Sequence, residues 1–385
     1  RQFPYRLKSV RVSLPKTMKS LLIATDSFLP RWDGVARFLS EIIPRLKKYY
    51  KITVICPDFK GKKIRIKGVE IIRIPLQKIT IGDYTPSVLD IKRIKKIVMK
   101  QDVIFTQSIG PIGGPAIYYG QKFKKKVVGY MHSLEWELVS QSIKKYKKST
   151  HAFVRKYAKY LYNKCNVIIV PSSHIRHELE KLGVKTKKMI VHVGTDSDYF
   201  KPGLKSRVKK SLGIKGDTLV VGFLGRIARE KNLITLERAF FKIHNRYPDL
   251  KLMIVGTGVR EEIDRLKRKG VILKGSQDHV VPFYQAMDIY VLPSLTETSS
   301  ISTMEAMSCG LPVIVTSVGF LKGYIREGEN GMFIQRGNVD QLAKKLELLI
   351  LDEKLRKKLG KEARDTIIER FDWKRTVKKL RKVLG

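Results

Sequence analysis

The strongest constraint on the fold is a repeated alternation of short apolar runs with longer amphipathic stretches along the 385 residues. One series of strand-like runs starts at Lys19, and a second series starts at Leu219. Strands that alternate with helices are typical of a parallel sheet, because each helix returns the chain to the edge where the next strand begins. Since the chain is also longer than one ordinary domain, the sequence predicts an α/β protein of two domains.

The apolar runs also predict the individual elements. Strands are expected at 19–25, 51–56, 69–74, 103–106, 126–130 and 167–170, and again at 219–223, 251–255, 271–274, 289–292 and 313–315. Helices are expected at 32–46, 89–99, 144–164 and 372–384. A turn-rich, charged segment separates the two series. We therefore expect a leader or extended N-terminus over 1–17, a first domain over 18–198, a second domain over 199–370 and a final helix over 371–385.

The chain is strongly basic, with a formal net charge of +43. Residues 1–200 contain 41 basic and 14 acidic side chains, and residues 201–385 contain 37 and 21. An excess of this size predicts anionic partners, such as a phosphorylated substrate, an anionic membrane surface or nucleic acid. The alternative is a lysine-rich surface with no particular partner, because net charge bears on association and not on fold.

Cysteine usage and hydropathy indicate where the protein acts. Cys56, Cys165 and Cys309 are widely spaced and odd in number, which favours reduced, buried thiols in a cytoplasmic protein and gives no zinc site. No apolar run approaches the roughly 18 residues that a membrane-spanning helix needs. Any membrane association is therefore expected to be peripheral, on the inner face of the membrane.

Two predicted helices could provide such association. The stretch 144–164 is rich in Lys and Arg and places Phe153, Tyr157 and Tyr160 on one helical face. The stretch 89–99 has the same basic character. Each face either lies on an anionic bilayer or packs into the core, and periodicity alone favours packing into the core.

The segment 294–316 carries the most specific chemistry. It begins at a strand end, passes through a loop with Glu297 and enters a helix that contains Glu305. Ser299 or Ser300 is expected to cap this helix. A helix N-terminus at the carboxyl end of a parallel strand offers free backbone N–H groups to a diphosphate. Ionised carboxylates accept hydrogen bonds, so the two glutamates suit the hydroxyls of a sugar and a ribose.

The sequence also marks the end of that helix. Gly310 lies where a left-handed residue ends a helix, and Pro312 prevents the helix from continuing.

A second candidate site follows the strand at 219–223, which is followed by Gly225-Arg226 and, five residues after Arg226, by Lys231. A forked guanidinium and a compact ammonium together suit a diphosphate leaving group. The alternative for these two cations is a solvated basic loop.

These motifs strongly resemble those of the retaining nucleotide-sugar glycosyltransferases of the GT-B fold, family GT4. The resemblance covers residues 19–385, with the paired glutamates and the Gly-Arg-x-x-x-x-Lys element in the family's order. It also includes a first loop with Pro30, Asp33 and Gly34, although many relatives have two glycines where this chain has Asp33-Gly34. The resemblance implies two Rossmann-like, doubly wound domains that face each other across a cleft, and a C-terminal helix that crosses back to the first domain.

The resemblance also implies roles for individual residues. Gly34, Arg226 and Lys231 would hold the diphosphate, Glu305 the ribose, and Glu297 with nearby backbone N–H groups the sugar. His132, at a strand end, would lie near the reacting centre, whereas a lone histidine there is more often simply packed. The expected catalytic residues are His132, Arg226, Lys231 and Glu297. The expected donor-binding residues are Gly34, Gly225, Arg226, Lys231, Glu297, Thr298, Ser299, Ser300 and Glu305. Asp33 and Arg37 are expected on the acceptor side.

The expected function is the transfer of a hexose, with retention, from a nucleotide-diphosphate sugar to a membrane lipid. A UDP-sugar is favoured over a GDP-sugar as the donor, and neither a cofactor nor a metal ion is expected. Asp196-Ser-Asp198, which is similar to a metal-binding pattern of another glycosyltransferase fold, is interpreted as part of the linker between the domains. The alternatives are a soluble sugar acceptor, a nucleotide-sugar epimerase and, more distantly, a basic nucleic-acid-binding protein, although nucleic acid is not an expected partner.

Overall fold

The computed structural model describes residues 18–31, 33–80, 84–137, 147–297 and 299–385. The chain forms two compact units. Among the described residues, the N-terminal unit contains 18–192 together with Thr376–Gly385, and the C-terminal unit contains Val193–Arg375. Each unit has its own parallel sheet and its own apolar core. The predicted α/β class with two Rossmann-like sheets is confirmed.

The N-terminal unit contains a seven-stranded parallel sheet in the order β3-β2-β1-β4-β5-β6-β7. Its strands are β1 (Ser20–Ala24), β2 (Lys51–Pro57), β3 (Val69–Ile74), β4 (Val103–Thr106), β5 (Lys126–Tyr130), β6 (Val167–Val170) and β7 (Lys188–Ile190). The strand order reverses between β1 and β4, which pair directly with Leu21 opposite Val103. In open α/β sheets, ligands bind outside the carboxyl ends of the strands at such a switch point.

Five described helices connect these strands: α1 (Gly34–Leu46), α2 (Ile91–Met99), α3 (Gly113–Lys122), α4 (Lys147–Tyr162) and α5 (Ser173–Lys181). The helix α1 begins after Asp33, whose carboxylate accepts a hydrogen bond from the amide of Ala36 at 3.0 Å. An acidic N-cap satisfies a free N–H and favours the positive end of the helix dipole. The buried face of α1 includes Phe38, Leu39 and Ile42.

The C-terminal unit repeats this arrangement with six parallel strands in the order β10-β9-β8-β11-β12-β13. They are β8 (Val220–Leu224), β9 (Lys251–Val255), β10 (Val271–Lys274), β11 (Ile289–Leu292), β12 (Val313–Thr316) and β13 (Met332–Ile334). The switch point lies between β8 and β11, which pair with Ile289 opposite Val221. The loops after these two strands contain Arg226, Lys231 and Glu297, so the sheet order brings the two predicted motifs to neighbouring strand ends.

The remaining helices are α6 (Lys205–Ser211), α7 (Leu233–His244), α8 (Arg260–Arg265), α9 (Val281–Ala286), α10 (Ile301–Ser308), α11 (Val339–Leu351), α12 (Glu353–Arg370) and α13 (Trp373–Leu384). From Thr376 onward, α13 belongs to the N-terminal unit. There the guanidinium of Arg381 lies 3.5 Å from the centre of the Tyr49 ring, and Lys19 Nζ donates to the carbonyl of Gly385 at 3.2 Å. From Thr376 onward, the final helix therefore packs within the N-terminal unit.

The three cysteines are free and buried, and burial raises the pKa of each thiol to about 12. Thiols with such a high pKa remain protonated at neutral pH and are poor nucleophiles. Within the described residues, no helix combines the length and the apolar character that crossing a membrane requires.

Candidate active site

The C-terminal unit brings Lys231 and Glu297 into direct contact. Lys231 Nζ lies 2.5 Å from Glu297 Oε1, and Ser294 Oγ donates to the same oxygen at 3.0 Å. The side chains of Lys231 and Glu297 are only 19% and 9% exposed, so the pair is largely removed from water. A charge-assisted hydrogen bond in such surroundings holds both groups in place. The pair therefore connects the loop after β8 to the loop after β11.

Backbone contacts reinforce this connection. The amide of Leu295 donates to the carbonyl of Glu230 at 2.8 Å, and Asn232 Nδ2 donates to the carbonyl of Pro293 at 3.3 Å. Asn232 has a φ of +52°, a left-handed conformation that asparagine tolerates better than most residues. It ends the short 3₁₀ turn that contains Lys231 and precedes α7.

Arg226 differs from Lys231 in its surroundings. Its side chain is 69% exposed and forms an ion pair with Glu230, four residues further on. An exposed ion pair of this kind contributes little to stability and is readily exchanged. The guanidinium of Arg226 can therefore leave Glu230 for an incoming anion at little cost.

Two glycines after β9, Gly256 and Gly258, pack closely against the loop that contains Arg226. A Cβ atom on Gly256 would lie 1.9 Å from the carbonyl oxygen of Gly225, and one on Gly258 would lie 1.7 Å from that of Ile227. The amide of Val259 donates to the carbonyl of Ile227 at 2.8 Å. This close backbone contact accounts for the Gly-x-Gly pattern after β9, so the two glycines serve the packing of the neighbouring loop.

The helix α10 begins as the sequence predicts. Ser300 is its N-cap, and the side chain of Ser300 accepts from the amide of Thr303 at 3.4 Å. The hydroxyl of Tyr324 donates to the carbonyl of Ser299 at 3.1 Å and fixes the approach to the helix. The predicted donor-binding residue Thr298 lies outside the described residues. After the helix, Gly310 has a φ of +76°, as expected for a left-handed residue at a helix end.

Glu305 lies inside α10 and is almost fully buried, with 1% of its surface exposed. The hydroxyl of Tyr284 donates to Glu305 Oε2 at 2.8 Å. The carboxylate is thus oriented by a buried tyrosine from α9. No pattern in the sequence pairs Tyr284 with Glu305, because the contact arises only when the two helices pack together.

In the N-terminal unit, the predicted site residues lie around the start of α1. Besides capping α1, the carboxylate of Asp33 accepts from Ser27 Oγ and from Arg31 Nε, the latter at 3.1 Å. Gly34 is exposed, and a Cβ atom added to it would meet no atom within 4 Å. The packing of the protein itself therefore does not require a glycine at this position. Arg37 is half-buried one turn further along the helix.

His132 follows β5 and lies in a tightly packed environment. Its Nε2 is 2.9 Å from Gln107 Oε1, and its ring stacks on Tyr130 with the ring centres 4.2 Å apart. The Phe38 ring also contacts this imidazole in an edge-type arrangement, with the ring centres 5.0 Å apart. Desolvation lowers the pKa of His132 to about 3, although the negative charge of Asp33 acts in the opposite direction. The imidazole is therefore neutral at physiological pH and suited to hydrogen bonding.

Sequence reasoning missed two polar residues at neighbouring strand ends. Gln107, directly after β4, contacts His132, and its Nε2 is buried without a partner among the described residues. Asp26, just after β1, accepts from the amides of Ile112 at 2.8 Å and Gly113 at 3.1 Å, at the start of α3. Burial raises the pKa of Asp26, and these hydrogen bonds oppose that effect. The missed signal was a polar residue immediately after a buried strand.

The Asp-x-Asp segment has structural partners. Asp198 forms an ion pair with Lys374 at 2.7 Å, which lowers the pKa of the carboxyl, and Asp196 accepts from the amide of Tyr199 at 3.1 Å. Across the described ranges, no cluster of three or more His, Cys, Asp or Glu side chains has a geometry that could hold a metal ion.

Comparison with known families agrees with this geometry. Residues 32–199 match Glycosyltransferase Family 4, and residues 205–366 match the glycosyl transferases group 1. Between them the two regions include most of the chain, which belongs to this family of glycosyltransferases. The predicted family and the prediction of a glycosyltransferase enzyme are thereby confirmed.

Individual relatives extend this result. The sulfoquinovosyl transferase SQD2 of Arabidopsis thaliana is 29% identical over 235 residues, which are 58% of this chain but only 45% of that protein. A GDP-mannose-dependent alpha-(1-6)-phosphatidylinositol monomannoside mannosyltransferase of Mycolicibacterium smegmatis is 23% identical over 95% of this chain and 98% of its own length. The solved structure of Anabaena HepE in complex with UDP has a TM-score of 0.75 and 18% identity, over 95% of this chain and 99% of that one. The last comparison confirms the GT-B fold.

Proposed function

We propose that this protein transfers a hexose from a nucleotide-diphosphate sugar to a hydroxyl group of a membrane lipid, with retention at the anomeric carbon. The observation that carries the proposal is the ion pair between Lys231 and Glu297. It lies beside the positive end of α10, where the loops after β8 and β11 meet at the switch point of the C-terminal sheet.

The diphosphate needs cationic and N–H donors, and the C-terminal unit offers both. Lys231 has a fixed position through Glu297, whereas Arg226 is exposed and free to turn toward an anion. The first amides of α10, together with Ser299 and Ser300, add hydrogen-bond donors at a helix N-terminus. We assign the diphosphate to this set, with Gly225 allowing the backbone to approach it. These groups would stabilise the charge that develops on the leaving nucleotide.

The two glutamates are assigned to hydroxyl groups of the donor. Glu297 has a second carboxylate oxygen besides the one that binds Lys231, and we propose that it accepts from a sugar hydroxyl. Glu305 is assigned to the ribose, with Tyr284 fixing the orientation of its carboxylate. An ionised carboxylate accepts several hydrogen bonds, so contact with a lysine or a tyrosine leaves capacity for a ligand.

The N-terminal unit is assigned to the diphosphate, through Gly34, and to the sugar and the acceptor. Gly34 has open space where a side chain would be, which permits close approach of a ligand to the start of α1. We propose that the neutral imidazole of His132 hydrogen-bonds a sugar hydroxyl near the reacting carbon. Asp33 and Arg37 are assigned to the acceptor, on either side of the first turn of α1.

We further propose that the reaction needs no metal ion, because Arg226, Lys231 and the α10 dipole can balance the charge of the leaving group. For the nucleotide, UDP remains our first candidate. GDP is the second, since the relative from Mycolicibacterium smegmatis, which is similar over nearly the whole chain, depends on GDP-mannose by name. That name also includes a phosphatidylinositol mannoside acceptor, which supports a lipid acceptor here.

A donor screen tests this proposal. We would titrate UDP, GDP and their hexose conjugates into the full chain by calorimetry, both with and without EDTA. Micromolar binding of one nucleotide-sugar family is expected, and the anomeric configuration of any product would be followed by NMR. Failure of every nucleotide to bind, binding that EDTA abolishes, or a product with inverted configuration would each contradict the corresponding part of the proposal.

A further inference from the structure

Exposed apolar side chains are concentrated on one part of the N-terminal unit. Eight of the large hydrophobic residues that are exposed to solvent belong to α2, α3, α4 and the short segment before α2. They are Val88, Leu89, Ile91, Met99, Tyr118, Phe153, Tyr157 and Tyr160. Single exposed apolar residues are normal on a protein surface, whereas a contiguous group of them is typical of an interaction site.

Two aromatic residues of α4, Phe153 and Tyr160, face solvent, contrary to the preference from periodicity for a core-facing stripe. Phe153 is 69% exposed and Tyr160 is 51% exposed. The opposite face of α4 packs into the core through Ala158, Leu161 and Tyr162, all nearly fully buried. These three residues fill the core, so the rings of Phe153 and Tyr160 remain outside it, whereas the Tyr157 hydroxyl lies against Gly114 of α3.

The three helices are neighbours on the unit. The helix α2 packs against α3, and α3 packs against α4. Lys164, just after α4, connects two of them, because its ammonium lies 5.6 Å from the centre of the Tyr118 ring and 4.7 Å from that of Tyr160. The rings of Phe153 and Tyr157 lie parallel with their centres 6.4 Å apart. We call the outward surface of these three helices the α2–α4 face.

The charge of the α2–α4 face has one sign. The three helices contain ten Lys and Arg residues and no Asp or Glu. Lys92, Lys95, Lys96, Lys156 and Lys159 are exposed among the apolar residues. Lysines attract an anionic surface, while aromatic and aliphatic side chains between them enter the region of the headgroups. A purely electrostatic partner would not account for the exposed apolar groups.

We propose that the α2–α4 face is a docking surface for an anionic phospholipid bilayer. The proposal rests on the lipid acceptor of the proposed function, because a protein that glycosylates a membrane lipid must reach the bilayer surface. Nucleic acid is less well matched, since aliphatic residues such as Leu89 and Met99 offer nothing to phosphates or bases, whereas they bury favourably among acyl chains.

Vesicle co-sedimentation tests the proposal. The full chain would be mixed with phosphatidylcholine vesicles, with and without phosphatidylglycerol, at several salt concentrations. Binding is expected only with phosphatidylglycerol, and it should weaken as salt increases. The substitutions Lys95→Glu with Lys156→Glu should lower the apparent affinity about 25-fold or more, because each lysine near the surface contributes about fivefold. Phe153→Ser with Tyr160→Ser should lower it by a similar factor.

The C-terminal unit provides matched controls. Leu204 and Leu351 are 72% and 68% exposed, close to the value for Phe153, so Leu204→Ser with Leu351→Ser controls for the loss of exposed apolar groups. Lys354→Glu with Lys358→Glu controls for the change in net charge. Both control proteins should bind vesicles like the wild type. Equal losses of vesicle affinity in the control and test variants would overturn the proposal. If RNA binding is measured on the same proteins, α2–α4 variants that lose RNA binding and keep vesicle binding would also overturn it.

A second readout separates this inference from the proposed function. In Phe153→Trp, tryptophan fluorescence should shift to the blue on anionic vesicles and be quenched by brominated lipids, whereas Leu351→Trp should not respond. No response at Phe153→Trp, together with sugar transfer to a detergent-solubilised lipid, would overturn the docking surface and leave the proposed function standing. A response at Phe153→Trp without transfer from any nucleotide sugar would support the docking surface and count against the proposed function.

Discussion

Lys231 Nζ lies 2.5 Å from Glu297 Oε1, and this ion pair connects the two loops that follow the central strands of the C-terminal sheet. Since both side chains are largely buried, neither can rotate away without leaving a charge unpaired. In the proposed function, the donor supplies a phosphate to the lysine and a hydroxyl to the carboxylate. The pair thus presents one cation and one anion at a fixed spacing.

The first prediction concerns this lysine. Lys231→Ala removes a fixed cation from the proposed diphosphate site, so kcat/KM for transfer should fall by about 100- to 1,000-fold. The free energy of unfolding should also decrease, because Glu297 loses its partner. Steady-state kinetics and urea unfolding measure the two effects. The matched control is Arg229→Ala, which removes a basic residue from the same 3₁₀ turn but only breaks an exposed ion pair with Glu261. Similar activity losses in both variants would show that the general charge of the loop is responsible.

The second prediction concerns the ribose. In Glu305→Gln, the amide oxygen can still accept from Tyr284, but the charge and one acceptor oxygen are lost. The dissociation constant for the nucleotide should rise about tenfold, since a hydrogen bond to a charged group contributes about 1.5 kcal/mol or more. Calorimetric titration with UDP and GDP measures this change. Glu237→Gln alters a similarly buried glutamate of the same unit, paired with Arg268, and should leave nucleotide affinity unchanged.

The third prediction compares two glycines. A Cβ atom at Gly34 meets nothing within 4 Å, so Gly34→Ala should leave the melting temperature unchanged or slightly higher, because alanine favours helices. Transfer should nevertheless fall by about 100-fold if a ligand approaches this backbone. Gly258→Ala, in contrast, forces a Cβ atom onto the carbonyl of Ile227 and should destabilise the C-terminal unit by about 3 kcal/mol. Calorimetric melting and transfer assays on both variants check these results, and full activity of Gly34→Ala would contradict the assignment.

The fourth prediction concerns pH. The pKa of His132 is lowered to about 3 in the folded protein, while the unfolded chain has an ordinary histidine pKa of about 6.5. Below pH 6.5 the unfolded chain therefore takes up a proton that the folded protein does not, so stability falls as pH decreases. His132→Gln removes this effect.

Between pH 6.5 and pH 5, the unfolding free energy of the wild type should fall by up to about 2 kcal/mol relative to that of His132→Gln. Urea unfolding at several pH values measures it. Burial raises the pKa of Glu135 to about 7, so the effect of Glu135 on stability has the opposite pH dependence. Because Glu135 is present in both proteins, its effect cancels in the difference. A difference that stays constant with pH would mean that His132 titrates normally in the folded state.

The strands were largely predictable because buried parallel strands are continuous apolar runs. The predicted strands at 69–74, 126–130 and 251–255 coincide with β3, β5 and β9. The sequence did not indicate β7 and β13, each of which is three residues long at a sheet edge. Such short strands leave no periodicity to detect, and their pairing depends on the neighbouring strand.

The candidate site was predictable where residues follow strand ends in a familiar spacing, as with Glu297 and Lys231. Their direct contact was not predictable, because 66 residues separate them along the chain. The same holds for Tyr284 beside Glu305 and for Gln107 beside His132, since tertiary packing alone selects these partners. The sequence left the orientation of α4 open for a related reason, because periodicity shows that a face exists and not which way it points.

The most direct test of the proposed function is label transfer from a nucleotide sugar to lipid. Purified full chain would be incubated with UDP- or GDP-hexose labelled in the sugar, together with anionic vesicles that contain the candidate lipid acceptors, and the products would be partitioned between water and an organic phase. We predict that label enters the organic phase with one of the two donors, in the presence of EDTA. Lys231→Ala should lower this transfer by about 100-fold or more, and Arg229→Ala should not. Label that stays in the aqueous phase with every donor, although the nucleotide binds, would contradict a lipid glycosyltransferase.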